Sequence, residues 1–132
     1  MRRLGITPSV ISAEFWKAAD EHRLVVPRCN RTGTHFFPPE RCVPGTLSTD
    51  WSYVESSGMG TVTTFTVVHR APAADFDVPY VLAVVAVDEG WNYLTNIVGC
   101  DPDAVSIGMR VTVTYERIDD VTLPAFKPID NP

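Results

Sequence analysis

From Thr61 to Lys127 the chain is a succession of short segments rich in Val, Thr, Ile and aromatic residues, separated by turn-forming ones. This pattern constrains the fold most, because such side chains suit a pleated, half-buried surface better than a helix. Thr61 to His69 and Tyr80 to Val87 read as strands, and Asp88-Glu89-Gly90 is a tight-turn signal joining the second of them to Trp91 to Val98. Asp101-Pro102-Asp103-Ala104 suits a capped single helical turn. Arg110 to Tyr115 alternates cleanly, and Leu123 to Lys127 completes the set. Five short strands with a short helix between the third and fourth follow the order of a five-stranded Greek-key oligonucleotide/oligosaccharide-binding (OB) barrel.

The preceding segment has a different character. Thr7-Pro8 offers an N-cap followed by proline at the first helical position, with Ser9 and Ser12 as other candidate caps. Phe15, Ala18, Ala19 and His22 recur at helical spacing and predict an amphipathic helix of about three turns. The adjacent Phe15 and Trp16 make its apolar face wider than a small core needs, so one of them is expected to meet a partner. Leu24 to Arg28 reads as a strand, Asn30 to Thr34 as a turn and His35-Phe36-Phe37 as the return leg of a hairpin that Pro38-Pro39 ends. Pro44-Gly45 turns the chain again before an extended run over Trp51 to Glu55. The expected fold is mainly β: a five-stranded OB barrel (57–132) behind an N-terminal α-helix (1–23) and a degenerate zinc-ribbon-like hairpin (24–56), in one compact unit.

Charge and composition exclude several classes. The net charge of −5 and pI near 5.0 oppose attraction to a nucleic-acid backbone. The charge is also uneven: four arginines against Glu40 alone between His22 and Arg41, then six acids and no Lys or Arg from Ala71 to Met109. The longest apolar run, Val78 to Val87, is about half of the roughly 20 residues that a spanning helix needs. Met1-Arg2-Arg3 is followed by Gly5, Pro8 and Ser9 instead of an apolar signal core, and three cysteines are an odd number for a disulfide framework. A cytoplasmic protein with reduced thiols is expected.

Motifs for catalysis are missing from the sequence: there is no Gly-x-Ser-x-Gly, no His-Glu-x-x-His and no phosphate-cradling loop. His69-Arg70 reads as a strand end, and Asp75 and Asp77 read as solvated loop acids. Cys100 has no histidine placed to lower its pKa. Cys29 and Cys42 each stand where a zinc ribbon begins a ligand pair, but the positions three residues on hold Thr32 and Gly45. Two thiolates, even with His35 as a candidate third donor, fall short of a closed tetrahedral site. No cofactor is required on this reading, and Cys29 and Cys42 are vestigial ligands that serve as small packers.

The ordered series Phe15-Trp16, Arg28-Cys29, Phe36-Phe37-Pro38-Pro39, Ser57-Gly58-Met59-Gly60-Thr61-Val62 and Phe65-Thr66-Val67-Val68-His69-Arg70 resembles the DUF35 family. The resemblance continues through Pro79-Tyr80-Val81, Leu94 to Cys100, Ile107-Gly108-Met109 and Val121 to Phe126, and so covers nearly everything from Phe15 to Pro128. It implies an N-terminal helix, a rubredoxin-like zinc ribbon and an OB barrel. The family's ribbon carries two Cys-x-x-Cys pairs, of which this chain keeps the first cysteine of each. It also implies a non-catalytic subunit beside a thiolase-like or lipid-transfer-protein-type aldolase or condensing enzyme, or beside an acyl-CoA hydratase, in acyl-CoA, steroid side-chain or polyketide metabolism. On that reading Arg28, Arg31 and Arg41 steer the phosphates of coenzyme A. Phe15, Trp16, Phe36, Phe37 and Pro38 are the candidate partner contacts, and a homodimer or heteromer is expected, without nucleic acid or membrane. The alternatives are a single-stranded nucleic-acid-binding OB domain and a small stand-alone acyl-CoA hydratase or thioesterase.

Overall fold

The computed structural model describes residues 7–74 and 76–129. Met1-Arg2-Arg3, Gly5 and Asp75, which entered the sequence argument above, lie outside the described residues. Helix α1 spans Ala13–Asp20, and strands β1 (Val25–Cys29) and β2 (Trp51–Glu55) form a two-stranded antiparallel sheet. The barrel strands are β3 (Met59–Val68), β4 (Tyr80–Val87), β5 (Trp91–Ile97), β6 (Arg110–Ile118) and β7 (Val121–Pro128). They close in the order β3-β4-β5-β7-β6. A single 3-10 turn over Pro102–Ala104 separates β5 from β6, capped by the Asp101 carboxylate, which accepts from the Asp103 N–H at 2.9 Å. The mainly β class, the five-stranded barrel and the position of the short helix all agree with the sequence.

Closure depends on β3 bending. Its first residues pair with β6 (Met59↔Thr112 to Thr61↔Arg110) while the length from Gly60 onward pairs with β4. The register shifts between Val62 and Thr64, and such a bulge adds local twist where one strand must serve two neighbours. Gly60 sits at that crossing, where a Cβ would stand 2.5 Å from Val85 Cγ1 and 2.7 Å from the Ala86 carbonyl oxygen. The other closure is slight: β5 pairs with β4 along its whole length but meets β7, in parallel, at the single register pair Ile97↔Phe126.

Period-two burial along β4 and β5 places Val81, Ala83, Val85, Val87, Trp91, Tyr93 and Ile97 inside the barrel with Val62, Val111 and Phe126. The same buried cluster takes in Phe15 and Ala18 of α1 and Leu24, Val25 and Val26 at the start of the ribbon. Ribbon and barrel therefore share one core.

Two local expectations are corrected. The helix has two turns, not three, because the chain leaves it in a Schellman motif: Arg23 N–H donates to the Ala18 carbonyl and His22 N–H to the Ala19 carbonyl, both at 2.9 Å. His22, counted from spacing as a helical-face residue, is the left-handed residue of that motif (φ 58°) and stacks on Tyr115 at 4.7 Å. Ser12 occupies the N-cap without a side-chain bond to the helix and is instead bonded to Ser9. The expected hairpin is reduced to its turn: Arg28 and His35 make one isolated bridge, and Phe36 N–H donates to the Pro27 carbonyl at 3.1 Å. The full ladder of β1 goes to β2, from Val25↔Glu55 to Cys29↔Trp51. Pro38 and Pro39 have no N–H with which to extend the nearer pairing.

Candidate functional site

The first ribbon loop is a closed turn. Cys29 N–H donates to the Thr34 carbonyl at 2.8 Å, and Gly33 N–H returns to the Cys29 carbonyl at 2.9 Å, with Gly33 left-handed at φ 77°. Hydrogen bonding by the Thr32 side chain and by the backbone N–H groups of Thr32 and Arg31 holds the Cys29 thiol below its ordinary pKa, against the opposing pull of burial and Asp50. Cys29 is 4% exposed and packs with Phe36, Val43 and Trp51 in a small second cluster. Cys42 is half-buried, its thiol 3.7 Å from the Leu47 carbonyl. The donor set is thus two thiols, a hydroxyl and a glycine, which does not fit structural zinc. Among the described residues no group of three or more His, Cys, Asp or Glu side chains is gathered for a metal.

The ribbon arginines differ from Arg23, Arg110 and Arg117. Arg23 pairs with Glu21 and Glu55, Arg110 with Asp88 and Arg117 with Asp20. Among the described residues no acidic side chain pairs with Arg28, Arg31 or Arg41. Arg31 lines an open cleft with Cys29, Thr32, Val43 and Pro44. Arg28 lies across Gly33, its guanidinium 2.9 Å from where a Cβ would stand. Arg41 is exposed in the second loop, its carbonyl accepting from Trp51 Nε1 at 3.0 Å.

The aromatic candidates divide into interior and rim. Phe15 and Phe36, at 3% and 7% exposure, are used up in packing and reach no surface. Trp16 and Phe37 are half-buried and Pro38 is exposed. Phe37 joins the ribbon to the barrel, with ring centroids 5.3 Å from Phe15, 5.3 Å from Trp91 and 5.0 Å from Tyr93. With Pro38, Val84, Asn92 and Leu94 it lines a shallow apolar groove on the outside of the barrel. A second groove, on the other side of Leu94, includes Leu82, Leu123 and Pro124.

Leu82 and Leu94, exposed by 36% and 65%, were missed by sequence reasoning. The signal for Leu94 was present: in Trp91–Ile97 it stands in the outward phase, between Asn92 and Asn96, where a polar residue is the rule. Also missed was a network at the hairpin tip. Trp91 Nε1 donates to Ser56 Oγ at 3.3 Å, the Ser56 hydroxyl donates to the Glu89 carboxylate, and Ser57 N–H donates to the same oxygen at 3.0 Å. Burial pushes the Glu89 carboxyl upward, and the Ser56 and Ser57 bonds outweigh it, leaving the pKa below the ordinary value. His69 and Arg70 are exposed where β3 ends, and burial with Asp101 nearby raises the Cys100 thiol. No helix among the described residues is long and apolar enough to cross a membrane.

The family descriptions "ChsH2, rubredoxin-like zinc ribbon domain" and "ChsH2, C-terminal OB-fold domain" match residues 16–45 and 53–116. A probable enoyl-CoA hydratase alpha subunit of Thermomonospora curvata is 42% identical over 116 residues, 86% of this chain and 36% of that protein. A 3-oxo-4,17-pregnadiene-20-carboxyl-CoA hydratase alpha subunit of Mycobacterium tuberculosis is 38% identical over 89% of this chain and 37% of its own length. The chain thus spans about a third of these two relatives. A DUF35 domain-containing scaffold protein of Methanocaldococcus jannaschii is 38% identical over 127 residues, 88% of this chain and 89% of the scaffold. Among solved structures, a chain of the Ltp2-ChsH2(DUF35) aldolase superposes with a TM-score of 0.84 at 39% identity, covering 96% of this chain and 98% of that one. A relative of matching length and a ribbon joined to a closed OB barrel lead to one conclusion: the chain belongs to the DUF35 family.

Proposed function

We propose that this chain is a non-catalytic accessory subunit that docks a thiolase-like aldolase or condensing enzyme acting on acyl-CoA thioesters, with steroid side chains as the favoured acyl class. The observation that carries this reading is the likeness, over nearly its whole length, to a chain solved as part of an aldolase. The acyl-CoA and steroid assignments rest on the hydratase subunits with which the chain shares a domain. The surface is consistent with such a role. Trp16 and the grooves around Phe37, Pro38, Leu82 and Leu94 offer apolar contacts, and Arg28, Arg31 and Arg41, which no acid among the described residues pairs, offer positive charge for the phosphates of coenzyme A. The barrel, acidic from Ala71 to Met109, gives an oligonucleotide no comparable path.

Co-expression with the thiolase-like protein encoded nearest to it, followed by size-exclusion chromatography with light scattering, tests the proposal. A stable heteromer is expected, with Leu94→Asp weakening it about tenfold or more at unchanged folding, as for a central apolar contact. A chain that stays alone at micromolar concentrations of both proteins overturns it, as does acyl-CoA turnover by the isolated chain.

A further inference from the structure

We propose that the ribbon of this chain is a metal-independent structure, in which Trp51 and the cluster beneath it replace the tetrahedral cross-link implied by the family description. This inference stands apart from the docking role above. In a metal ribbon two loops present four thiolates to one ion, and the ion carries the folding energy of a segment too small to have a core. Here the loops are joined by other means. Cys29 from the first loop and Val43 from the second are both buried against Phe36, with Trp51 packed on the outside, its ring centroid 5.6 Å from that of Phe36. The Trp51 indole N–H donates to the Arg41 carbonyl at 3.0 Å, tying the start of the second loop to β2. Asn30 ties the first loop to the same strand: its Nδ2 donates to Asp50 Oδ1 at 2.9 Å and to Ser52 Oγ at 3.0 Å, and its N–H to the Asp50 carbonyl at 3.0 Å. The second loop closes on itself, with Val43 N–H donating to the Ser48 carbonyl at 2.9 Å and the Thr46 hydroxyl to the Val43 carbonyl at 2.8 Å.

The two ligand positions without cysteine have changed in different ways. Thr32 keeps a side chain in place, its hydroxyl donating to Thr34 Oγ1 at 3.1 Å, and the left-handed Gly33 follows it. In the second loop the left-handed residue, at φ 80°, is Gly45 itself. A cysteine there meets open space but sits in a backbone conformation that L side chains rarely adopt. The second loop has therefore lost the backbone geometry for a ligand pair as well as the thiol.

The experiment uses the whole chain, purified without chelator, with elemental analysis and thermal melts in the presence of zinc or EDTA. Substoichiometric zinc is expected, with the melting temperature unmoved by either addition. Cys42→Ser should melt within about 1 °C of the parent, since an exposed-edge thiol bonded at 3.7 Å is close in shape to a hydroxyl. Trp51→Ala should lower the melt by about 5 °C or more and open residues 29–50 to protease, with no rescue by zinc. Trp51→Phe, which keeps the packing and loses the indole bond, should fall between and stay folded. One zinc per chain whose removal lowers the melt, collapse on Cys42→Ser, or indifference to both Trp51 variants would each overturn the proposal.

Discussion

Phe37 is the side chain through which the ribbon leans on the barrel, and Phe37→Ala measures that contact. Full burial of a phenylalanine is worth roughly 3–5 kcal/mol on truncation to alanine. Phe37 is half-buried at the rim of a groove, so part of that loss is returned as relief of solvent exposure. Its three ring contacts, with Phe15, Trp91 and Tyr93, lie within the 4.5–7 Å span in which aromatic pairs add to area burial. A loss of about 2 kcal/mol follows, or roughly 6–10 °C in melting temperature for a chain of this size. Phe37→Leu keeps most of the apolar volume without the ring geometry and should lose about 1 kcal/mol. The neighbouring Pro38→Ala, at an exposed position, should change stability by less than about 0.5 kcal/mol. Urea titrations of the three variants, with slopes compared to confirm a common unfolding, provide the assay. If Phe37→Ala unfolds within about 0.5 kcal/mol of the parent, the ribbon is not held by the barrel and the single shared core is wrong.

Other substitutions probe the barrel and the helix end. Gly60→Ala forces a Cβ to within 2.7 Å of a backbone oxygen at the strand crossing and should prevent stable folding, whereas Gly90→Ala, in open space at φ 101°, should cost only about 1 kcal/mol in a thermal melt. His22→Ala keeps the left-handed backbone while losing the stack on Tyr115, and should melt below His22→Gly, which relieves about 1 kcal/mol of strain. The folded Glu89 carboxyl titrates below its ordinary 4.5, so it binds fewer protons than in the unfolded chain. Its contribution is complete above that value and lost as pH falls through the lower folded value. The stability gap between the parent and Glu89→Gln, read by urea titration from pH 7 to pH 3, should therefore narrow in acid, and a gap that widens there would refute the network.

The barrel was legible in the sequence because its evidence is local. Val81, Ala83, Val85 and Val87 alternate with outward residues, and the three residues Asp88-Glu89-Gly90 fix the hairpin that follows. The partner of β1 was not legible, since nothing local distinguishes His35-Phe36-Phe37 from the distant Trp51–Glu55. The nearer leg was favoured by proximity, and the proline pair after it decided otherwise. Phe15 and Phe36 show the same limit: an aromatic expected at an interface and one needed in a core look alike until the neighbours are known. The tie from Ser56 to Glu89 spans 33 positions and joins residue types common in any turn. That no acid among the described residues pairs with Arg28, Arg31 or Arg41 likewise depends on where the acids fall in space.

The bend of β3, shared between β4 and β6, has a consequence for biosynthesis. The first barrel strand to leave the ribosome waits for β6 before its leading end is paired, and the parallel closure of β5 waits for β7, the last strand among the described residues. Leu24, Val25 and Val26 belong to the same cluster as Val111 and Phe126, so a nascent chain that has emerged only as far as β5 displays a half-built interior to its surroundings. Pairings between such distant segments form slowly and leave apolar surface open to chaperones and proteases meanwhile. A stalled or shortened chain ending before Arg110 should be degraded instead of accumulating, so closure of the barrel becomes a checkpoint on the synthesis of β6 and β7.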